Sequence, residues 1–126
     1  MAKPKHILIV DDDPGIGEML KTLLELNDFE ATHIEQPDGI EELIKKNKTD
    51  LVLLDMLISG VDGTEVCSQL RKDKEVSETP ILMMSALHEA GIKCKNSGAD
   101  DFIAKPFEME DLLKKIDQVL SRQGVE

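Results

Sequence analysis

The stretch ILIVDDDPG, from Ile7 to Gly15, decides the fold of this chain. Its first four residues are apolar, the next three are aspartates, and Pro and Gly follow. An uninterrupted run of Ile, Leu and Val is typical of a strand that is buried on both faces of a parallel sheet. Consecutive carboxylates at the end of such a strand repel one another, so we expect a positively charged partner beside them.

The same kind of apolar run recurs along the chain. These runs predict strands at residues 6–10, 30–34, 51–54, 80–84 and 101–104. Apolar residues at helical spacing predict helices at residues 15–27, 38–47, 63–72, 87–98 and 108–120. The apolar stripe of the first helix includes Met19, and the stripe of helix 87–98 is the thinnest. This alternation predicts a doubly wound α/β domain with a parallel sheet and right-handed crossovers.

Size, charge and cysteine content narrow the classes of function. The chain has 126 residues, enough for one domain, and its net charge of −11 argues against direct contact with nucleic acid. The apolar runs are too short to cross a membrane and the N-terminus lacks a signal-peptide pattern, so we expect a cytoplasmic protein.

Cys67 and Cys94 lack the spacing of a zinc site, and Cys67 is predicted to pack in the core. His6, His33 and His88 are predicted to lie on the surface.

Ionisable or hydroxyl side chains follow four of the five predicted strands. They are Asp11 to Asp13 after the first strand, Asp55 after the third, Ser85 after the fourth and Lys105 after the fifth. In sheets of this type, ligands bind at the carboxyl ends of the strands. A single Asp after a strand is most often a helix cap, and Asp13 suits that role because Pro14 follows it. The combination of the other residues predicts a shared site.

The chemistry of these residues favours a metal-assisted phosphoryl transfer. Close carboxylates raise one another's pKa unless a cation joins them. Mg²⁺ takes oxygen ligands, typically one or two carboxylates, and leaves room for phosphate. Lys105 would offer a second positive charge to a phosphoryl oxygen, and Ser85 a hydroxyl group. One aspartate is then placed to act as a nucleophile and to form an aspartyl-phosphate.

Four motifs carry a resemblance to a known family. They are ILIVDDDP, LVLLDMLISGVDG, MMSA and GADDFIAKPF, and in this order they resemble the receiver domains of two-component response regulators over nearly the whole chain. The resemblance implies a flavodoxin-like (βα)5 fold with strand order 2-1-3-4-5 and helices on both faces. It implies that Asp55 is the phosphorylated carboxylate. It also implies that Mg²⁺ is bound by Asp55, by Asp12 directly, by Asp11 mostly through water, and by the main-chain carbonyl of Leu57.

The resemblance assigns roles to three further side chains. Lys105 would pair with the phosphoryl group and precede Pro106 through a cis peptide bond. Ser85 would be the hydroxyl that moves toward the phosphate. Phe102 stands at the position of the family's aromatic switch residue, and an ordinary core phenylalanine is the equal alternative.

The implied function is a phosphorylation-controlled switch. A sensor histidine kinase or a histidine phosphotransfer protein would phosphorylate Asp55, and the fourth helix, fifth strand and fifth helix would then present an altered face to a downstream effector or to a second copy of the chain. Such a domain is not an enzyme, apart from catalysing its own phosphorylation and dephosphorylation.

We expect one receiver domain at residues 1–126 with frayed ends at 1–5 and 122–126, either free-standing or the first part of a longer regulator.

The chain departs from the family pattern at three places. Ser59 stands where the family usually has Pro, which predicts a looser loop. The interval from Ser85 to Lys105 is slightly short, which weighs against dimerisation through the family's usual face. Leu57 and Leu87 flank the site at positions that often tune phosphate loss. Two apolar residues at these positions predict a long-lived phosphoryl group.

Two other functions fit parts of the pattern. A haloacid-dehalogenase-type phosphatase would use Asp11 and Asp13 after the first strand, with Asp100 and Asp101 as its late acidic pair. In that family, however, the lysine precedes the acidic pair, whereas Lys105 follows it. A receiver-fold interaction module that no longer takes phosphate would need none of these residues, yet all the chemical positions are filled.

Overall fold

A computed structural model of the chain describes residues 3–124. Its strands are β1 (His6–Val10), β2 (Glu30–Ile34), β3 (Leu51–Asp55), β4 (Leu57–Ile58), β5 (Val61–Asp62), β6 (Ile81–Ser85) and β7 (Asp101–Ala104). Its helices are α1 (Pro14–Leu26), α2 (Ile40–Asn47), α3 (Gly63–Lys72), α4 (Gly91–Asn96) and α5 (Met109–Gly124), and a 3-10 turn, His88–Ala90, precedes α4. The predicted alternation of strands and helices is confirmed.

The main sheet is parallel and has the order β2-β1-β3-β6-β7. This order corresponds to the predicted 2-1-3-4-5, because β4 and β5 form a separate antiparallel pair. The strand order reverses at β1, which has β2 on one side and β3 on the other. The carboxyl ends of β1 and β3 therefore border the crevice in which such sheets bind ligands.

Helices cover both faces of the sheet, as predicted. Successive strand residues point to opposite faces, so Ile7 and Ile9 belong to one core and Leu8 and Val10 to the other. Helices α1 and α5 pack on the first core, and α2, α3 and α4 pack on the second. Cys67 and Cys94 are fully buried in the second core, in agreement with the prediction for Cys67.

The structure corrects several local predictions. Met19 is 51% exposed, because α1 buries the stripe of Gly17, Leu20 and Leu24 instead. Helix α4 has only six residues, and the helix predicted at 87–98 begins as a 3-10 turn. Residues 122–124, predicted to fray, continue α5. The parts of the predicted frayed ends at residues 1–2 and 125–126 lie outside the described residues.

Two histidines that were predicted on the surface are largely shielded from solvent. The ring of His6 donates to the carbonyl of Asn47 and accepts from the Thr32 hydroxyl, at 3.1 and 2.9 Å. The side chain of His33 is 5% exposed. Burial is tolerated because polar partners satisfy the ring nitrogens. The side chain of His88 lies outside the described part of the structure.

Between residues 3 and 124, none of the helices combines the length and the apolar character that crossing a bilayer requires.

Candidate functional site

Three aspartates meet at the carboxyl ends of β1 and β3. One carboxylate oxygen from each of Asp11, Asp12 and Asp55 lies within 4.8 Å of the others. The pairing of β1 with β3 brings them together, because Val10 is in register with Leu54 and each is followed by an aspartate. Asp11 is 1% exposed and Asp55 is 9% exposed, whereas Asp12 is more open to solvent.

Lys105 bridges two of these aspartates. Its Nζ lies 3.1 Å from Oδ2 of Asp11 and 3.2 Å from Oδ2 of Asp55. Burial raises the pKa of the Asp55 carboxyl, the Lys105 ammonium offsets part of that rise, and the Asp11 charge adds to it. Burial alone would lower the pKa of Lys105, but its hydrogen bond to Asp11 and the two carboxylate charges raise it. One lysine thus leaves the three carboxylates with an excess of negative charge.

This group of residues fits a divalent cation of the Mg²⁺ type. The three donors are carboxylate oxygens, which hard cations prefer, and the lysine neutralises only part of their charge. Oδ1 of Asp11 is already engaged by the backbone N–H of Asp13 at 2.9 Å, which orients that carboxylate. Leu57, predicted to add a carbonyl ligand, lines the adjoining cavity. Its role as a ligand stays a prediction.

A cavity of about 550 Å³ opens beside Asp55. Ser85 lines it together with Lys105, and the Ser85 side chain is buried. Its hydroxyl oxygen accepts a hydrogen bond from the backbone N–H of Leu87 at 3.0 Å, whereas Leu57 and Leu87 have largely exposed side chains. The cavity therefore combines polar groups at Asp55, Ser85 and Lys105 with the exposed apolar side chains of Leu57 and Leu87, and it leaves room for a phosphoryl group at Asp55.

The loop after Asp55 is a hairpin that returns to the site. Ser59 and Gly60 connect β4 to β5 with φ values of 50° and 82°, and positive φ at both residues is the requirement of a type I′ turn. The backbone N–H of Ser59 donates to Oδ2 of Asp12 at 2.7 Å. A proline at this position would lack that donor and could not adopt the positive φ. The loop predicted to be looser is therefore tied to the acidic group.

Gly63 begins α3 close to the backbone of Asp55. A Cβ at this position would overlap the backbone carbonyl of Asp55 and crowd Met56. The N–H of Gly63 donates to the carbonyl of Met56 at 2.6 Å, so the hairpin closes tightly. The absence of a side chain allows α3 to start this close to β3.

Phe102 lies outside the acidic site. It is on β7, half-buried, and packs against the core shared by α2, α3 and α4. Gly91, at the start of α4, is its neighbour across that face. This position is consistent with both predicted roles, a switch residue and a core residue.

Two polar contacts of the site were not anticipated from the sequence. The His33 ring Nε2 lies 2.8 Å from the carbonyl oxygen of Asp11, and because a carbonyl only accepts, Nε2 carries the proton. Lys93 of α4 lines the cavity, and its Nζ lies 3.6 Å from Oδ2 of Asp62. The first contact depends on the pairing of β1 with β2, and the second on the position of α4, a helix with a weak sequence pattern. No local sequence motif therefore predicts either contact.

The geometry argues against the phosphatase alternative. Oδ1 of Asp13 accepts from the N–H groups of Gly15 and Ile16, so the Asp13 carboxylate is the predicted helix cap, and it is the backbone N–H of Asp13 that bonds to Asp11. Asp100 pairs with Arg71 at 2.9 Å. Asp101 begins β7, whereas Lys105 follows the end of that strand. The late acidic pair therefore lies at the amino-terminal ends of the strands, away from the site at their carboxyl ends. These residues cannot share one reaction centre.

The peptide bond between Lys105 and Pro106 is cis, as the resemblance implied. In the fold, Pro106 leads from β7 toward α5. Together with Phe107, Ile16 and Met19 it lines a separate surface pocket beside α1.

Known proteins resemble this chain in both sequence and structure. Residues 7–117 match the family described as response regulator receiver domain. The DNA-binding dual master transcriptional regulator RpaA of Synechocystis sp. is 37% identical over 121 residues, which are 93% of this chain and 49% of the relative. The chain spans about half the length of the curated relatives it matches.

Two solved structures share the fold closely. The BeF3-activated N-terminal receiver domain of Klebsiella pneumoniae RstA has a TM-score of 0.83 and 31% identity, covering 92% of this chain and 98% of that one. A two-component response regulator from Clostridium difficile has a TM-score of 0.85 and 30% identity, covering 96% and 99%.

Proposed function

The chain belongs to the response regulator receiver domain family, and from that premise we propose that it is a phosphorylation-controlled switch with Asp55 as the phosphoryl acceptor. The observation that carries the proposal is the setting of Asp55. Its carboxylate is held by Lys105, lies beside two further carboxylates, and borders an open cavity lined by Ser85. A merely structural aspartate would need neither the cavity nor the surplus of negative charge.

The transfer itself needs little from the protein except position and charge. An oxygen of Asp55 attacks the phosphorus of a phosphohistidine, the new O–P bond forms, and the N–P bond to the imidazole breaks. Lys105 lies at hydrogen-bond distance from Asp55 and would pair with a phosphoryl oxygen as negative charge collects there. Ser85 would donate its hydroxyl hydrogen to a second phosphoryl oxygen.

A magnesium ion is the cofactor that we propose for this site, with Asp11, Asp12 and Asp55 as side-chain ligands and Leu57 as a carbonyl ligand. When bound, the ion would neutralise charge on the phosphoryl oxygens. The hydrogen bond from Ser59 would keep Asp12 directed toward the site. The carbonyl contact of His33 would fix the chain where Asp11 and Asp12 leave β1.

The output of the switch would pass through the face built from α4, β7 and α5. Phosphorylation can bias only states that interact differently with the phosphate, and Ser85 would provide such an interaction: its oxygen accepts from the Leu87 N–H, which leaves its hydroxyl hydrogen free to donate to the phosphate. Moving the protein from mostly inactive to mostly active requires about 5 kcal/mol of such preference. Phe102 lies on β7, within this face, and is the proposed relay.

The partners follow from the same proposal. A sensor histidine kinase or a histidine phosphotransfer protein supplies the phosphoryl group, and an effector domain or protein reads the altered face. The net charge of −11 disfavours direct contact of this domain with nucleic acid. A cytoplasmic location, where a kinase can reach the site, is part of the proposal, and so is dimerisation on phosphorylation.

The decisive experiment is phosphorylation by acetyl phosphate with Mg²⁺, followed by intact-mass analysis. The wild type should gain one phosphoryl group, whereas Asp55→Asn should gain none, and chelation of Mg²⁺ should abolish the gain. Asp13→Asn is the matched control, because it removes a nearby carboxylate that only caps a helix. Labelling that persists in Asp55→Asn would refute the assignment, and a complete absence of labelling would favour the interaction-module alternative.

A further inference from the structure

Lys93 is a second cation at the cavity beside Asp55. Among the described residues that line this cavity, the positively charged ones are Lys93 and Lys105. Lys105 already contacts Asp11 and Asp55, whereas Lys93 contacts only Asp62 at the rim. Leu57 and Leu87 at the mouth are uncharged, so among the described residues of the cavity Lys93 is the positive charge that does not already contact Asp55.

The ion pair between Lys93 and Asp62 is easily exchanged. The two side chains are 61% and 36% exposed, and a pair this open to solvent contributes little to stability. Asp62 does not depend on Lys93, because its Oδ1 accepts from the backbone N–H and the hydroxyl of Thr64 at 2.9 and 2.6 Å. Asp62 therefore remains the N-cap of α3 when the lysine leaves.

We propose that Lys93 is a positioning residue for the phosphoryl group: it pairs with Asp62 in the unphosphorylated protein and moves to the phosphoryl oxygens when Asp55 is modified. The inference rests on the proposed function of Asp55. The phosphoryl group carries roughly 1.5 to 2 negative charges and replaces the single charge of the Asp55 carboxylate, so the cavity gains up to about one negative charge, and this gain favours the exchange.

The exchange would also link phosphorylation of Asp55 to a displacement of α4. Lys93 lies on α4, which follows the 3-10 turn and packs against β7 beside Phe102. Asp62 lies at the end of the hairpin that follows Asp55. In the unphosphorylated protein the ion pair links α4 to this hairpin only weakly, so Lys93 can turn toward the phosphoryl group and α4 can follow it.

Beryllofluoride binding tests the proposal without an enzyme assay. The chain has no Trp or Tyr, so calorimetric titration with beryllofluoride at saturating Mg²⁺ is the measurement. The variants are Lys93→Gln, Asp62→Asn and the double variant, because Asn caps a helix about as well as Asp. Lys95→Gln is the matched control, since Lys95 is an exposed lysine on the same helix outside the cavity.

The two single variants should act in opposite directions. Lys93→Gln should weaken beryllofluoride binding by about threefold or more, because the mouth loses a positive charge, and Lys95→Gln should change it much less. Asp62→Asn should strengthen binding because it frees Lys93, and the double variant should lose most of that gain.

Four results would overturn the inference. Equal effects of Lys93→Gln and Lys95→Gln would mean that only net charge matters. A shift in the same direction for Lys93→Gln and Asp62→Asn would mean that the ion pair only braces α4. If the wild type itself fails to bind beryllofluoride, the proposed function fails and this inference fails with it, whereas normal wild-type binding with an unchanged Lys93→Gln refutes the inference alone. Thermal unfolding of each variant confirms that it is folded.

Discussion

The backbone N–H of Ser59 donates a hydrogen bond of 2.7 Å to Oδ2 of Asp12, a residue 47 positions earlier in the chain. The bond joins the turn of the hairpin to the acidic group at the end of β1. Ser59 has a φ of 50°, which no proline can adopt. Ser59, which stands where the family usually has proline, therefore contributes a hydrogen bond to the site that proline could not make.

Ser59→Pro should lower the free energy of unfolding by more than about 1 kcal/mol, because the variant loses the N–H donor and cannot reach the native φ. Ser59→Gly keeps the donor and accepts positive φ, so it should behave much like the wild type. Urea unfolding of the three proteins gives the comparison. A Ser59→Pro protein as stable as the wild type would show that the hydrogen bond does not hold the loop.

Gly17→Ala should be destabilising because the new Cβ would overlap the ring of His33. We expect a cost of about 1–3 kcal/mol, typical of overpacking, and a loss of the contact between His33 and the Asp11 carbonyl. In a His33→Ala background the ring is gone, so the same substitution should cost much less. A double-mutant cycle by urea unfolding measures the difference, and additive effects would rule out the clash.

Asp55→Asn should stabilise the protein when Mg²⁺ is absent. Burial raises the pKa of Asp55 in the folded state above the usual value of 3.8, so the native protein binds this proton more tightly than the unfolded chain. Stability then falls as the pH rises from about 3.8 through the folded pKa, and at pH 7 the ionised carboxylate is a net cost. Replacing it with Asn removes that cost.

Thermal unfolding with a chelator, at pH 7 and near pH 3.5, checks this sign. The stabilisation of Asp55→Asn should be clear at pH 7 and smaller at the lower pH, where more of the wild-type carboxyl is protonated. Added Mg²⁺ should raise the melting temperature of the wild type more than that of the variant. A lower melting temperature for Asp55→Asn in chelator would contradict the prediction.

The phosphoryl group at Asp55 should be long-lived. Leu57 and Leu87 line the cavity with exposed apolar side chains, so neither can orient an attacking water molecule. Leu87→Glu adds a carboxylate that can do so and should shorten the half-life by about tenfold or more. Leu26→Glu, at an exposed position on α1 that does not line the cavity, is the control. A wild-type half-life of seconds with Mg²⁺ would contradict the prediction.

Arg71→Lys should destabilise the protein at the amino-terminal ends of β6 and β7, away from the acidic site. The guanidinium donates to the carbonyls of Gly98, Ser77 and Thr79 and pairs with Asp100. A lysine cannot reproduce this planar set of donors, so we expect a loss of about 2 kcal/mol. Arg122→Lys, at a more exposed position with a single carbonyl contact, should change stability little. Equal effects of the two substitutions in urea unfolding would refute the special role of Arg71.

Much of the fold was predictable because its signals are local. Strands β1, β2 and β7 have the predicted limits, and α3 has the predicted limits as well. Their sequences combine continuous apolar runs or a regular helical stripe with polar residues at the ends. Predictions were poorest where the local pattern is weak, as in α4. They were also poor for residues at the border of a helix's apolar stripe, such as Met19, which could face either the core or the solvent.

The sequence by itself determined the parallel sheet and the gathering of Asp11, Asp12, Asp55, Ser85 and Lys105, because strands of one direction bring their carboxyl ends to one edge. Only the tertiary structure decided which atoms pair there: the hydrogen bond from the Ser59 N–H to Asp12, the hydrogen bond from His33 Nε2 to the Asp11 carbonyl, and the ion pair of Lys93 with Asp62. These contacts join segments distant in the chain, and they depend on distances of a few ångströms between groups that leave no periodic mark in the sequence.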